Sequence, residues 1–169
     1  EPEPISNPVC NPSGLPGVPT TNAGHGTHVS GLVGANVSSG LGFKGVCKNC
    51  GIAMARIAFG TCLTSGTIRT DFTFATAAHG ITWLVDSGAQ VINMSLGNPL
   101  LDPANYCPTH ATNVWCVAMT YAADRDVTLV GASGNWRIRL QFPAADSRVV
   151  AVGGYDESIA FWDESPGSY

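Results

Sequence analysis

Charge is scarce in this chain. Asp, Glu, Lys and Arg make up 12% of its 169 residues, about half of the ~25% usual in globular domains. Eight Lys and Arg stand against twelve Asp and Glu, for a net charge of -4, and no basic run occurs. Nothing here tracks a phosphate backbone, which excludes a nucleic-acid partner. Long apolar runs are missing as well: none approaches the ~18 residues that a bilayer span needs, so no membrane role is expected. No internal repeat is visible. The chain opens on Glu1-Pro2-Glu3-Pro4 without a charged-then-apolar leader, so a secretory signal is expected to lie upstream or to have been removed.

What is present suits one folded domain. Hydrophobic residues reach 44%, ample for a core at single-domain length. Six cysteines (Cys10, Cys47, Cys50, Cys62, Cys107 and Cys116) among few lysines indicate an oxidising compartment and disulfides, hence a secreted or extracellular protein. Residues 1–24 hold six of the eleven prolines and lack hydrophobic periodicity, so they form a Pro-rich surface segment.

From His25 the pattern changes. HGTHVSGLVGAN sets Val29, Leu32 and Val33 at helical spacing, with Gly31 and Gly34 free for close packing, which predicts a short buried helix. GIAMARIAF (51–59) has strand length, and 60–70 reads as a Gly/Ser/Thr loop. The clearest helix is 71–88, where Phe74, Ala77, Ala78, Ile81, Leu84 and Val85 form one stripe and Gly88 closes the C-terminus. Apolar strands follow at 89–97, 126–135 and 147–155, with a helical stretch around Trp115 to Arg125. Strands apolar on both faces that alternate with helices predict an α/β fold of three layers, a mostly parallel sheet with helices on both faces. In such sheets chemistry gathers at the carboxyl ends of the strands, here Ser95-Leu96-Gly97 and Ala132-Ser133-Gly134-Asn135.

The sharpest string is His25-Gly26-Thr27-His28-Val29-Ser30-Gly31, a histidine at the start of a helix with glycines beside it. It resembles the histidine motif of the subtilisin-like serine peptidases, the subtilases. GVCKNCGIAMARI, AQVINMSLGNP, TLVGASGN and FPAADSRVVAVGGYDESIAFW resemble the family's later strands in the same order. The resemblance covers His25 to about Ser165, so residues 1–169 read as the central portion of one peptidase domain, incomplete at both ends. It implies that His25 is the general base and that Asn135 is the side-chain donor of the oxyanion hole, a neutral amide aimed where negative charge develops. It also implies that Ser95, Leu96 and Gly97 pair with an extended peptide, while Ala132, Ser133 and Gly134 wall the primary specificity pocket. The resemblance further implies that Ser65, Gly66 and Thr67 supply the opposite substrate edge and that Trp136 adjoins the cleft. Structural calcium comes with the family without a site being located here, since Asp124, Asp126, Asp146, Asp156 and Asp163 are scattered.

Two triad members are not found. The family's aspartate sits in a D-x-G context before the histidine, where this chain has only Glu1 and Glu3. Its nucleophile sits in a G-T-S segment, and Gly167-Ser168 is not one. Two readings stay open: a serine endopeptidase working through an acyl-enzyme, with Asp and Ser supplied by unseen sequence or a complementary chain, or a non-catalytic scaffold that captures peptides by strand addition. A zinc site from His25, His28 and Cys47-x-x-Cys50 is the weaker alternative, because no second ligand pair follows. Cys107 and Cys116 bracket an insertion and are expected to pair, Cys47 and Cys50 to close a small loop, and Cys10 and Cys62 to remain as a couple. His79 and His110 read as structural or exposed, and the tryptophans as packing residues. A sheet without its flanking segments exposes an edge and apolar faces. The isolated 169 residues are therefore expected to be unstable or associated with a covering segment; sedimentation showing a monomer that also melts cooperatively would contradict this.

Overall fold

A computed structural model of the chain describes residues 25–36, 42–62, 68–98, 106–135 and 140–155. These fall into two units, Glu1–Thr73 and Phe74–Tyr169. The Pro-rich segment 1–24, the loop residues Ser65, Gly66 and Thr67, and Trp136 lie outside the described residues.

The first unit contains helix α1 (His25–Gly34) and an antiparallel pair, β1 (Phe59–Cys62) with β2 (Ile68–Asp71). The helix is where the spacing places it, but no residue of it is fully buried among the described residues, and Leu32 and Val33 are exposed. Its C-terminal carbonyls are capped by the following segment: the N–H groups of Gly45, Val46 and Cys47 donate to Ala35, Leu32 and Val33 at 3.0, 3.0 and 2.7 Å. A Cβ on Gly45 would lie 2.4 Å from the backbone nitrogens of Gly34 and Ala35. Two backbones cross there, and only glycine fits. The strand expected at 51–59 is irregular chain without ladder partners until Phe59, and the expected 60–70 loop instead supplies most of both strands of the hairpin. Phe59, Thr61, Ile68 and Thr70 suit the pleat better than the Gly/Ser composition suggested.

The second unit carries α2 (Phe74–Asp86), β3 (Val91–Met94), α3 (Tyr106–Thr109), α4 (Val114–Ala123), β4 (Thr128–Ala132) and β5 (Val149–Val152). The three strands form a parallel sheet in the order β3-β4-β5, with Ile92 opposite Leu129 and Leu129 opposite Val149. Helix α2 buries Ala77, Ala78, Ile81 and Val85, four members of the predicted stripe. It ends in a Schellman turn: Gly88, at φ 85°, donates to Val85, and Ala89 donates to Leu84. Asn113 caps α4 by accepting from the Trp115 N–H at 3.0 Å. Helix α4 packs on β4, and α2 on α4. Burial alternates along β3 and β4, so Ile92, Met94 and Leu129 face the core while Val91, Val150 and Val152 are exposed. The arrangement is that of a partial three-layer α/β domain.

The core between α4 and the chain before β5 is aromatic. Trp115 and Phe142, both with no exposed surface, meet edge to face at 4.9 Å. Phe74 and Tyr106 complete the cluster at 5.6 Å from Trp115 and 5.0 Å from Phe142. Such contacts contribute about 1 kcal/mol each beyond buried area. Trp83, by contrast, is half exposed. The Cys107–Cys116 disulfide joins α3 to α4 as expected, and Cys47 pairs with Cys50. Cys10 lies outside the described residues, so its pairing is not described.

One ion pair ties the turn before β5 to α4. Asp146, nearly buried, receives Arg148 through two side-chain bonds of 2.7 Å and a backbone N–H at 3.0 Å. Arg148 also donates to the Cys116 carbonyl at 3.2 Å and to Thr120 Oγ1. Burial alone pushes the Asp146 carboxyl up, but the hydrogen bonds and charge of Arg148 outweigh it and hold the group below its ordinary value. A depressed carboxyl adds stability that is complete above its ordinary value of about 4 and is lost as pH falls through the lower folded value. Urea unfolding at pH 7 and pH 3 should show that loss, while Asp146→Asn should cost about 2 kcal/mol at pH 7 and blunt the acid sensitivity.

Candidate functional site

The parallel register carries two segments off the sheet side by side. Because Met94 stands opposite Gly131, Ser95-Leu96-Gly97 and Ala132-Ser133-Gly134 leave the carboxyl ends of neighbouring strands. Both positions come from strand pairing alone, and both match the sequence expectation. Asn93 Nδ2 donates to Ser95 Oγ at 2.8 Å, steadying the first segment. The second is held by β5, where the Ser133 N–H donates to the Val152 carbonyl at 2.9 Å. Ser133 is buried; Ser95, Leu96, Gly97, Ala132 and Gly134 are half-buried.

A third strand of chain closes the group. Asn98 forms an isolated antiparallel bridge with Phe142, its N–H donating to the Phe142 carbonyl at 2.8 Å, and the Gln141 N–H donates to Ser133 at 3.2 Å. Residues 141–142 therefore lie against both segments at once. The Gln141 side chain fills the space between them: a Cβ on Gly97 would lie 2.6 Å from Oε1, and one on Gly134 2.5 Å from Nε2. Sequence reasoning missed Gln141. The available signal was its place immediately before Phe142, whose buried ring fixes the backbone, together with paired glycines at 97 and 134.

Gly134 has φ +112°, a conformation that side-chain-bearing residues rarely adopt. That turn delivers Asn135, exposed, just beyond the end of β4. His25 belongs to the other unit, where it is the first residue of α1 and is exposed. His28 and His79 are exposed; His110 is also exposed, stacks on Tyr106 at 4.5 Å and shares Nδ1 with its carbonyl. With Cys47 and Cys50 joined, their sulfurs are not free for zinc. Among the described residues no group of three or more His, Cys, Asp or Glu is placed to hold a metal ion. No described helix is long and apolar enough to cross a membrane.

Comparison with known proteins gives a consistent result. The Subtilase family of peptidases matches residues 6–166. The thermophilic serine proteinase of Bacillus sp. (strain AK1) is 34% identical over 134 residues, covering 79% of this chain and 29% of that protein. Subtilisin Savinase of Lederbergia lenta is 30% identical over 147 residues, 85% of this chain and 48% of that protein. The chain thus spans less than half the length of these two relatives. The crystal structure of the epidermin leader peptide processing serine protease of Staphylococcus aureus superposes with a TM-score of 0.63 at 22% identity, covering 83% of this chain and 37% of that one. That likeness is one of fold.

The crowding at Gly134 has a measurable consequence. Gly134→Ala should destabilise by about 1–3 kcal/mol through both the backbone conformation and the clash with Gln141. Adding Gln141→Ala should restore only the steric part, so a double-mutant cycle of melts should give a nonzero coupling; strict additivity would separate the two residues.

Proposed function

The chain belongs to the subtilase family, and from that membership we propose that it is the central part of a serine endopeptidase that cleaves extended peptides through an acyl-enzyme. In this reading the His25 imidazole takes the proton of a serine hydroxyl as that oxygen attacks the scissile carbonyl, and later returns it to the leaving amine. The Asn135 amide N–H donates to the carbonyl oxygen as it becomes an oxyanion. The substrate backbone pairs with residues 95–97 on one side and 132–134 on the other. The serine and the aspartate that orients the imidazole come from sequence outside these 169 residues or from a complementary chain.

One observation carries the reading: a single family match, residues 6–166, embraces both the helix-starting His25 and Asn135 just beyond the end of β4. A base and an oxyanion donor together serve acyl transfer, whereas a peptide-binding scaffold has no chemical use for the pair. The two strand ends, set side by side by the sheet register, support the substrate assignment. Two disulfides among the described residues support an oxidising, extracellular setting.

In the full-length protein His25→Ala should abolish turnover of a casein-type substrate. Asn135→Ala should lower kcat by about 10²–10³-fold with little change in KM, a magnitude known from the corresponding donor of subtilisin itself. Undiminished activity of the His25→Ala protein would falsify the catalytic reading; a protein that binds extended peptides without cleaving them would be the scaffold instead.

A further inference from the structure

The two described disulfides sit in opposite surroundings. Cys107 and Cys116 are 6% and 2% exposed and lie in the core of the second unit. Cys47 is half-buried and Cys50 exposed, three residues apart in the turn that follows α1, where the Cys50 N–H donates to the Cys47 carbonyl at 3.3 Å. A cross-link over so few residues removes little freedom from the open chain, so it stabilises less than one that closes a wider loop. An exposed disulfide is also the kind that a thiol can reach and exchange with. Residues 42–58 carry Lys44, Lys48 and Arg56 and no Asp or Glu, and cations near a cysteine favour the thiolate that leaves when its partner sulfur is attacked.

The same turn is the joint that holds α1. Before the disulfide, the N–H groups of Gly45, Val46 and Cys47 close the carbonyls of Ala35, Leu32 and Val33 at the helix C-terminus. After it, the chain returns along the helix: a Cβ on Gly34 would lie 2.7 Å from Ile52 Cδ1, and one on Gly26 3.7 Å from Met54 Cε. Met54 therefore lies against the residue next to His25. Helix α1 is ten residues long and fully buries none of them among the described residues. Helices this short are marginal alone, so the capping turn and the returning segment are what brace it.

We propose that Cys47–Cys50 is a thiol–disulfide exchange site for a dithiol reductant, a clasp that braces α1 when closed and loosens it when reduced. A reductant thiolate attacks Cys50 Sγ, forming a mixed disulfide as the Cys47–Cys50 bond breaks; the Cys47 thiolate leaves and takes up a proton. The second thiolate of the reductant then attacks its own partner sulfur, closing the reductant's disulfide and releasing Cys50, which is protonated in turn. Two electrons pass from the dithiol to the cysteine pair. Opening uncouples the capping turn from the segment that returns to Gly26, so α1 loses its brace at both ends and His25 its fixed position. Turnover is thereby tied to an oxidising setting. That last step rests on the proposed role of His25 as general base, whereas the exchange and the loosening of α1 do not.

The test treats the full-length native protein with graded dithiothreitol, alkylates the free thiols and maps them by mass. Cys47 and Cys50 should be labelled about tenfold faster than Cys107 and Cys116. Hydrogen exchange at the Val46 and Cys47 amides, whose bonds reach α1, should rise about tenfold in the reduced protein. Turnover of an extended peptide should fall about tenfold, since a small displacement of a catalytic group is enough for that, and should return on re-oxidation with glutathione disulfide. The fall should track the labelling of Cys47 and Cys50 and of no other cysteine. A Cys47→Ser, Cys50→Ser double variant should match the reduced wild type in exchange and turnover and ignore dithiothreitol; if it fails to melt cooperatively, the wild-type titration decides alone. Labelling of Cys47 and Cys50 no faster than that of Cys107 and Cys116 overturns the exchange site. Selective labelling with unchanged exchange at residues 46 and 47 overturns the bracing of α1. Raised exchange with undiminished turnover overturns the control of activity and leaves the peptidase reading standing. Raised exchange in a protein that cleaves nothing in either redox state upholds the clasp and overturns the peptidase reading.

Discussion

Everything at the carboxyl ends of the strands depends on the burial of one ring. Phe142 packs edge to face on Trp115 and against Tyr106, with no surface left to solvent. That packing holds a short stretch of otherwise irregular chain against the sheet, where its carbonyl receives the Asn98 N–H and its neighbour Gln141 reaches between Gly97 and Gly134. The core and the candidate site are thus two sides of one dipeptide. A ring buried for hydrophobic reasons sets the position of the Gln141 side chain, and large aromatic side chains suit this because they bury much surface with few rotamers to lose.

Around that point the second unit is cross-braced. The Cys107–Cys116 bond ties α3 to the start of α4, and Arg148 links Asp146 to the Cys116 carbonyl and Thr120. The residues just before β5 are therefore held at both ends, by the aromatic cluster and by the ion pair. Low overall charge makes this pair unusual in the sequence, and its burial makes it more than a surface decoration, since a carboxylate out of water demands the several hydrogen bonds that Asp146 receives. The first unit has its own economy: Gly45 passes backbone to backbone across the end of α1, and the Cys47–Cys50 loop follows at once.

Most of the second unit was legible as periodicity. The stripe from Phe74 to Val85, the glycine stop at Gly88 and the apolar runs of β3, β4 and β5 each express a local rule, a helical period or a strand length, that tertiary contacts did not override. The hairpin of β1 and β2 was not legible, because Gly, Ser and Thr satisfy both a loop and an edge strand, and only the partner decides. The burial of α1 was likewise overestimated from its apolar spacing, since spacing says which face is apolar and not whether a neighbour covers it. The resemblance was legible where it consisted of strings, His25 in HGTHVSG and Asn135 in ASGN. It was not legible where it consisted of a meeting between residues distant in sequence.

The sequence by itself determined the family, the α/β class, the helix that begins at His25 and the strand ends at 95–97 and 132–135, because each is encoded in contiguous residues whose spacing or chemistry reads directly. The tertiary structure alone decided that Met94 stands opposite Gly131, that Asp146 is buried under Arg148, and that Gln141 fills the gap between two glycines. Those facts are register and packing. Ladder pairing and the burial of Phe142 bring together residues that lie from seven to more than forty positions apart, and no local pattern in the chain records which of them will touch.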